Sequence, residues 1–255
     1  MEEPIVSLIF PVYNGVEMLH EALLSLRKID SGVSYEVILV DDGSPEDMSL
    51  VYDNKKLYDK LIMLPHSGNS TISVNAGVKV ARGKYIQYQN SDVLFKQDNW
   101  LKYIVDAFKR NRVKTVGCKT FYPNNKINHS IKFLDHGSTP FVKHYERGAD
   151  ITQSSKGINI CDAVSGCGMT TTKELWEKLG GFNVYKPFGW DDIDWCLRTW
   201  ESNARVACQS DAWFYHFGSK FYGGKETPEY HENEKTIKEK YNQVIKRLCK
   251  KKKRN

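Results

Sequence analysis

The amino-acid sequence predicts an α/β protein whose mostly parallel central sheet carries helices on both faces. Two observations in the first half of the chain predict this class. Short apolar runs alternate with segments whose apolar residues recur at helical spacing, and Asn, Asp and Gly follow the apolar runs as turn residues. Strands that alternate with helices in this way favour a parallel sheet. Since 255 residues without a repeat or a linker fit one such unit, we predict a single domain.

The first half contains its strands and helices in regular order. The first strand is predicted over residues 5–12, and the helix after it, over 16–28, has apolar residues on one face. Pro45 is a favourable first residue for the next helix, with Ser44 as its cap. The remaining elements of this half are strands over 35–40, 60–64 and 84–88 and helices over 70–81 and 98–110.

The second half of the chain is less regular. Residues 119–157 are polar and rich in turn residues, which predicts a hairpin with a loop. Beyond them the apolar pattern predicts strands over 159–164 and 205–208 and helices over 173–179, 191–202 and 229–250.

Positive charge is concentrated at the carboxyl end of the chain. The formal charge is +6, and seven Lys and Arg residues lie within residues 246–255. We therefore predict a folded domain over 1–245 and a basic tail over 246–255. This tail either contacts an anionic membrane surface or is a solvated, disordered end. Nucleic-acid binding would rest on the tail alone and is not expected.

The sequence also carries signals of location. The apolar runs fall short of the roughly 18–20 residues of a membrane helix, and the first run is too short for a signal peptide. The six cysteines show neither a CxxC pair nor zinc spacing, which indicates free thiols in a reducing compartment. We predict a cytoplasmic protein, peripheral to a membrane if its tail binds one.

Polar side chains follow three of the predicted strands. Tyr13 and Asn14 follow the first strand, Asp41-Asp42 the second and Asn90-Ser91-Asp92 the fourth. The carboxyl ends of parallel strands meet at one edge of a sheet, where ligands bind. A carboxylate there can accept from a base N–H or a ribose hydroxyl, or hold a divalent metal on a diphosphate. Alternatively, each of these residues is only a turn residue.

Short motifs along the chain give it a family resemblance. They are Pro11–Gly15, Val40–Ser44, Asn75–Gly77, Ala81–Tyr85, Asn90–Asp92, Val164–Gly166, Gly180–Phe182, Asp191–Arg198 and His216. In this order and spacing the sequence resembles the family 2 glycosyltransferases of the GT-A fold, from about Val6 to Ser219. The resemblance implies a single GT-A-type domain, with a donor half over about 1–118, an acceptor half over about 119–220 and a terminal helix after 228.

The resemblance also implies the substrates and the donor-binding residues. The donor is a nucleoside-diphosphate sugar, either a UDP- or a dTDP-sugar, and the acceptor is a hydroxyl group of a glycan or glycolipid. Asp42 would bind the uracil or thymine ring, in a pocket lined by Pro11 and Tyr13. The other implied donor contacts are Asn14, Asn75, Asn90 and Ser91.

The implied metal is Mn²⁺ or Mg²⁺. Asp92 matches the second Asp of the family's Asp-x-Asp motif, the main protein ligand of the metal. His216 matches a late histidine that in many members also reaches the metal or the diphosphate. Judged without the resemblance, a lone histidine has many roles. The other six histidines match no motif and are assigned no role.

The catalytic residues implied are two adjacent carboxylates. Asp192 matches the Asp of the family's Glu-Asp motif, the catalytic base, and Asp191 stands in place of the Glu. Acidic residues also favour a helix N-terminus for electrostatic reasons. One base on the face opposite the leaving group gives direct displacement and therefore inversion. Trp190 or Trp195 can stack on an acceptor sugar or belong to the core, and the core is favoured for Trp195.

Departures from the family pattern keep one alternative open. Asn90 replaces the first Asp of Asp-x-Asp, and Val74 stands where many members carry Arg. The alternative is a catalytically inactive protein that binds a nucleotide sugar or a glycan. A nucleotide-dependent oxidoreductase is disfavoured, because the first strand is not followed by GxGxxG.

Overall fold

A computed structural model of the chain describes residues 3–138, 141–185, 189–218 and 227–252. These residues form twelve strands, eight α-helices and a 3₁₀ turn at Ile151–Gln153. The strands are β1 (Val6–Val12), β2 (Tyr35–Asp41), β3 (Lys60–Met63), β4 (Tyr85–Tyr88), β5 (Val93–Leu94), β6 (Val113–Phe121), β7 (Ile127–His129), β8 (Lys132–Leu134), β9 (Val142–His144), β10 (Ile158–Ile160), β11 (Met169–Thr172) and β12 (Arg205–His216). The helices are α1 (Val16–Lys28), α2 (Ser49–Tyr52), α3 (Ser70–Val78), α4 (Trp100–Ala107), α5 (Lys173–Leu179), α6 (Asp191–Glu201), α7 (Pro228–Lys240) and α8 (Asn242–Lys252).

The central sheet has the strand order β10-β12-β6-β11-β4-β1-β2-β3, with β5 and β7 on β12 and β6. Strands β1 to β4 are mutually parallel. Strand β11 is antiparallel to both β4 and β6, so β6 and β12 run in the direction of the first four. Within the described chain, six strands of this path point the same way. The predicted α/β class with a mostly parallel sheet is confirmed.

Hydrophobic cores lie on both faces of the sheet. Leu8 and Phe10 of β1 pack into one core with α1 and α4, whereas Ile9 packs into the other with α3 and α6. This division follows from the alternation of side chains along a strand. Helix α3 lies tightly on β1, because a Cβ atom at Gly77 would stand 2.5 Å from Cγ2 of Ile9. The predicted helices on both faces are therefore present.

The segment after β2 differs from the prediction of a helix that begins at Pro45. Helix α2 begins only at Ser49. The hydroxyl of Ser44 donates to Oδ1 of Asp41 at 2.5 Å, so it closes the turn after β2 instead of capping a helix. The carboxylate of Glu46 accepts from the backbone N–H groups of Gly15 and Val16 and thereby caps α1.

The last strand is much longer than predicted. Strand β12 runs over twelve residues to His216, past the predicted end at Cys208. Its register on β6 shifts between Gln209 and Trp213. Polar residues in this irregular stretch interrupt the apolar pattern, which is why the sequence suggested an earlier end.

The predicted terminal helix is divided into α7 and α8 at Tyr241. The predicted tail boundary at residue 246 falls inside α8, where Leu248 is buried and Arg247 donates to the carbonyl of Trp200 at 3.0 Å. The folded body therefore extends at least to Leu248. The last residues of the predicted tail, 253–255, and the end of the acceptor half at 219–220 lie outside the described residues. No helix in the described ranges is both long and apolar enough to cross a bilayer.

Candidate active site

A cavity of about 950 Å³ opens beyond the carboxyl ends of β1, β2 and β4. This is the edge where an open α/β sheet binds ligands. All but one of the residues to which the sequence assigns a role in the site line it: Pro11, Tyr13, Asn14, Asp42, Asn90, Ser91, Asp92, Trp190, Asp191, Asp192 and His216. The exception is Asn75.

Asn75 lies behind the cavity wall and not in it. Its Nδ2 donates to the carbonyl of Phe182 at 3.0 Å, and its Oδ1 accepts from the Phe182 N–H at 2.9 Å. Both polar atoms of this side chain are thus engaged in joining α3 to the segment after α5. The prediction that Asn75 binds the donor is therefore corrected to a structural role.

An aromatic pair forms one wall of the cavity. The ring of Tyr13 stacks on His66 with the ring centroids 4.3 Å apart, and Tyr13 is 37% exposed. Nδ1 of His66 lies 2.9 Å from the Asp42 carbonyl oxygen. No role was assigned to His66 from the sequence. It follows β3 closely, however, and polar residues just after a parallel strand lie at the edge of the sheet where ligands bind. The position of His66 in the sequence could therefore have identified it.

The carboxylate of Asp42 fixes the turn that follows β3. Its Oδ1 accepts from the N–H of Ser67 at 2.9 Å, and its Oδ2 accepts from the N–H of Gly68 at 2.9 Å. Asp42 is nearly fully buried but borders the cavity. Oδ1 also accepts from the Ser67 hydroxyl at 2.6 Å, and Nδ1 of His66 lies 3.2 Å from Oδ2. Since each carboxylate oxygen has two lone pairs, Oδ1 is fully engaged, and a further donor can bind only at Oδ2.

Strand pairing brings Asp92 next to His216. In the β5–β12 ladder His216 lies opposite Val93, and Nε2 of His216 is 3.1 Å from Oδ1 of Asp92. The amide Nδ2 of Asn90 lies 3.1 Å from the same nitrogen. Burial disfavours the imidazolium, but Cys167 and Asp92 outweigh this effect and hold the pKa of His216 well above its usual value.

The donor set at this point fits a divalent cation that is shared with a substrate. In the described ranges no three His, Cys, Asp or Glu side chains form a group that could hold a metal. Asp92 and His216 would hold it as one carboxylate and one imidazole, at the wall of an open cavity. Cations such as Mg²⁺ are often bound by one or two carboxylates together with water and substrate phosphates. An imidazole ligand favours Mn²⁺ over Mg²⁺.

The two adjacent carboxylates begin α6. Oδ2 of Asp192 accepts from Nζ of Lys132 at 2.6 Å and from the N–H of Gly166 at 3.2 Å. Lys132 is buried and lies in β8, within the turn-rich region 119–157 where the sequence gave no element bounds. Burial and the neighbouring Asp192 carboxylate raise the pKa of Asp191 above the usual carboxyl value.

Trp190 borders the cavity but is largely enclosed by protein. It is 7% exposed, and its ring stacks on Phe141 with the centroids 5.5 Å apart and the planes 7° from parallel. Its Nε1 donates to the carbonyl of Tyr230 at 3.1 Å. One face of the ring is therefore unavailable to a sugar. Trp195 is fully buried, as the core interpretation predicted.

Further basic and imidazole side chains from the region 119–157 line the cavity. They are His129, Lys132, His144 and Arg147. The rings of His129 and His144 lie 5.3 Å apart. Burial and the charge of Lys132 lower the pKa of both imidazoles, to about 4 for His144. None of these four was assigned a role from the sequence, although their concentration in one aperiodic segment was a visible signal.

Comparisons with known proteins agree with this geometry. The family model described as Glycosyl transferase family 2 matches residues 7–177. A protein of Sinorhizobium fredii, the uncharacterized y4gI, is 25% identical over 240 residues, which are 89% of this chain and 26% of that protein. The O-antigen biosynthesis protein RfbC of Myxococcus xanthus is 25% identical over 225 residues, 85% of this chain and 17% of that protein. The chain therefore spans about a quarter or less of the length of these relatives.

Two solved structures share the fold. The mannosyltransferase PcManGT from Pyrobaculum calidifontis, solved in complex with GDP-Man and Mn²⁺, matches with a TM-score of 0.63 over 98% of this chain and 74% of its own, at 16% identity. The S. aureus protein TarS matches with a TM-score of 0.60 over 94% of this chain and 69% of its own, also at 16% identity. At this identity the likeness concerns the fold.

Proposed function

Because the chain belongs to glycosyl transferase family 2, we propose that it transfers a sugar from a nucleoside-diphosphate sugar to an acceptor hydroxyl with inversion at the anomeric carbon. One observation carries the proposal. A single cavity is lined by the aromatic pair with Asp42, by Asp92 with His216, and by Asp192. These are the groups needed to bind a nucleoside, hold a diphosphate and remove a proton. We assign the donor to about residues 1–118 and the acceptor, from a glycan or glycolipid, to about 119–220.

The nucleoside binds against Tyr13. The stack of Tyr13 on His66 presents a partly exposed aromatic face, and such faces bind bases by stacking. Asp42 borders the same wall and can accept a ring N–H, which supports a uridine or thymidine nucleotide. Pro11 and Asn14 complete this side of the cavity.

The diphosphate binds near Asn90, Ser91 and Asp92. Asp92 and His216 hold a Mn²⁺ or Mg²⁺ ion, and the Mn²⁺ in the complex of the mannosyltransferase of like fold is a supporting parallel. When bound, such an ion acts as a Lewis acid that stabilises the charge of the leaving diphosphate. Asn90 presents a neutral amide, so the site carries one negative charge fewer than an Asp-x-Asp site.

Asp192 is the base. Its Oδ2 is held by Lys132 and by the Gly166 N–H, and no described residue contacts its Oδ1 by a hydrogen bond. The acceptor O–H gives its proton to this Oδ1 as its oxygen bonds to the anomeric carbon, and the bond from that carbon to the diphosphate oxygen breaks. The raised pKa of Asp191 makes it the competing candidate, since a base is most effective near the working pH.

A catalytically inactive binding protein is the second candidate. It is favoured because the proposed base and the proposed metal ligands already have partners within the protein: Asp192 is paired with Lys132, and Asp92 with His216. Such a protein would bind the donor and leave its glycosidic bond intact.

A screen of UDP-, dTDP- and GDP-sugars with Mn²⁺ by thermal shift tests the proposal. The donor that stabilises the protein is then incubated with it, and the release of free nucleoside diphosphate is followed. Stabilisation with metal-dependent release supports the transferase. Stabilisation without release supports the inactive binder, and no stabilisation by any of these donors contradicts both.

A further inference from the structure

We propose that Arg147, assisted by the imidazoles of His129 and His144, binds an oxyanion carried by the acceptor. The inference rests on the proposed function and narrows its acceptor to a glycan that bears a phosphate or a carboxylate group. All three side chains line the cavity. His129 lies in β7, His144 in β9 and Arg147 in the turn after β9.

Arg147 is the source of positive charge at this place. Its guanidinium donates to the Tyr122 hydroxyl at 3.1 Å, and in the described ranges no carboxylate forms an ion pair with it. Lys132 differs, because Asp192 neutralises it at 2.6 Å. A cation without a counter-charge in a concave wall attracts anions. The planar guanidinium matches phosphate and carboxylate geometry through paired N–H groups.

The two imidazoles add hydrogen-bond donors beside this charge. Nδ1 of His129 and Nδ1 of His144 are buried without a hydrogen-bond partner in the described part of the chain. A neutral imidazole carries one N–H. Since neither buried Nδ1 has an acceptor nearby, the proton is favoured on Nε2, the nitrogen left to donate to a ligand in the cavity.

The position of the cluster points to the acceptor rather than the nucleoside. Lys132, which is paired with the proposed base, is one of the charges that lower the pKa of His144. The nucleoside wall of Tyr13 and Asp42 is built from β1 and β2, whereas the cluster is built from the segment 127–147. His129 lies close to the proposed diphosphate position, because its ring lies 6.2 Å from that of His216. For this reason the experiment includes nucleotide binding.

The test uses three sugars that share the glucose ring and differ only in the group at carbon 6: glucose, glucose 6-phosphate and glucuronate. Binding to the full chain is measured by ligand-observed NMR in the presence of Mn²⁺ and the nucleoside diphosphate that the protein prefers. We expect at least one of the two anionic sugars to bind about tenfold or more tightly than glucose, and the comparison between them separates phosphate from carboxylate recognition. Arg147→Gln should remove this preference, since hydrogen bonds to a charged group are worth about ten- to hundredfold in affinity.

The matched control is Arg110→Gln, at an exposed arginine after α4 that does not line the cavity. This variant should bind all three sugars as the wild type does. His144→Ala should reduce the preference less than Arg147→Gln. Equal affinity of the wild type for the three sugars would overturn the inference, and so would loss of nucleoside diphosphate binding in Arg147→Gln, because Arg147 would then serve the donor. Failure of the wild type to bind any nucleoside diphosphate would instead contradict the proposed function, whatever the sugars do.

Discussion

The Nζ atom of Lys132 lies 2.6 Å from Oδ2 of Asp192, and both side chains are mostly withdrawn from solvent. The pair joins the β8–β9 hairpin to the start of α6 across 60 residues of sequence. It fixes one oxygen of Asp192, and the other oxygen accepts no hydrogen bond from the described residues. When one member of a buried ion pair is removed, the other is left as an uncompensated buried charge.

Replacing Lys132 is therefore expected to affect both stability and turnover. Lys132→Met should lower the free energy of unfolding by about 3–5 kcal/mol, the usual effect of breaking a buried pair. It should also lower kcat more than it changes KM for the donor, because the base loses its fixed orientation. Chemical denaturation and steady-state kinetics measure the two effects.

The double variant Lys132→Met with Asp192→Asn is the control for this pair. The double variant should lose less unfolding free energy than the two single variants lose together, because no lone buried charge remains. Simple additivity of the two substitutions would contradict a coupled pair.

Substitution of the two carboxylates tests which of them is the base. Asp192→Asn should leave donor binding intact and lower transfer by about 10²-fold or more, as expected when a general base is lost. Asp191→Asn is its matched control and should have a smaller effect. Transfer rates under donor saturation provide the comparison, and the reverse order of the two effects would assign the base to Asp191.

Asp191 also predicts an unusual dependence of stability on pH. Because its pKa is raised in the folded protein, folding favours the protonated form. The stabilisation from this group is complete below the ordinary carboxyl pKa of about 3.9 and is lost as the pH rises through the raised value. Asp191→Asn should thus be more stable than the wild type at pH 8, by roughly 2–4 °C in Tm for each 1 kcal/mol.

At pH 5 the same substitution should change Tm much less, since Asp191 is then largely protonated in the wild type. Thermal unfolding at the two pH values is the measurement. A variant that is less stable than the wild type at pH 8 would mean that the Asp191 carboxylate is stabilised by its surroundings.

The metal assignment predicts a graded loss of donor binding. Asp92→Ala should abolish metal-dependent donor binding, because the carboxylate ligand is lost, and His216→Ala should weaken it less. Asn90→Asp adds a carboxylate and should lower the Mn²⁺ concentration needed for half-maximal binding. Calorimetry with and without EDTA distinguishes these cases, and full transferase activity in EDTA would rule out a metal role for both residues.

Local patterns were sufficient to predict some elements of this molecule. The bounds of α1 and α5 coincide with those predicted from apolar spacing and from the glycines after α5. The strand-end residues Tyr13, Asp42 and Asp92 meet in one cavity, because parallel strands end at the same edge. In each case the determining signal lies within a few neighbouring residues.

Other features depend on distant contacts that no local pattern contains. Asn75 lies in a recognisable motif, but only its hydrogen bonds to Phe182, 107 residues away, reveal that it points away from the cavity. The pairing of Lys132 with Asp192 depends on a contact between residues 60 positions apart, which the sequence near either residue does not indicate. Likewise, the irregularity between Gln209 and Trp213 interrupts the apolar pattern of β12, so the sequence did not predict that this strand continues to His216.

The carboxyl end of the chain is expected to contain a folded part and a dispensable part. Deletion of residues 250–255 removes five positive charges but retains Leu248, which is buried, and Cys249, whose thiol lies 3.2 Å from the Leu134 carbonyl. This truncation should leave Tm and turnover on a soluble acceptor unchanged. It should weaken binding to anionic vesicles, most strongly at low salt, since each basic residue near such a surface contributes about 1 kcal/mol.

Deletion of 246–255 should in addition lower Tm, because the contacts of Leu248 are lost. Vesicle co-sedimentation and thermal unfolding of the two truncations separate the effects, and equal vesicle binding by the full chain and the shorter deletion would assign these charges to solubility alone.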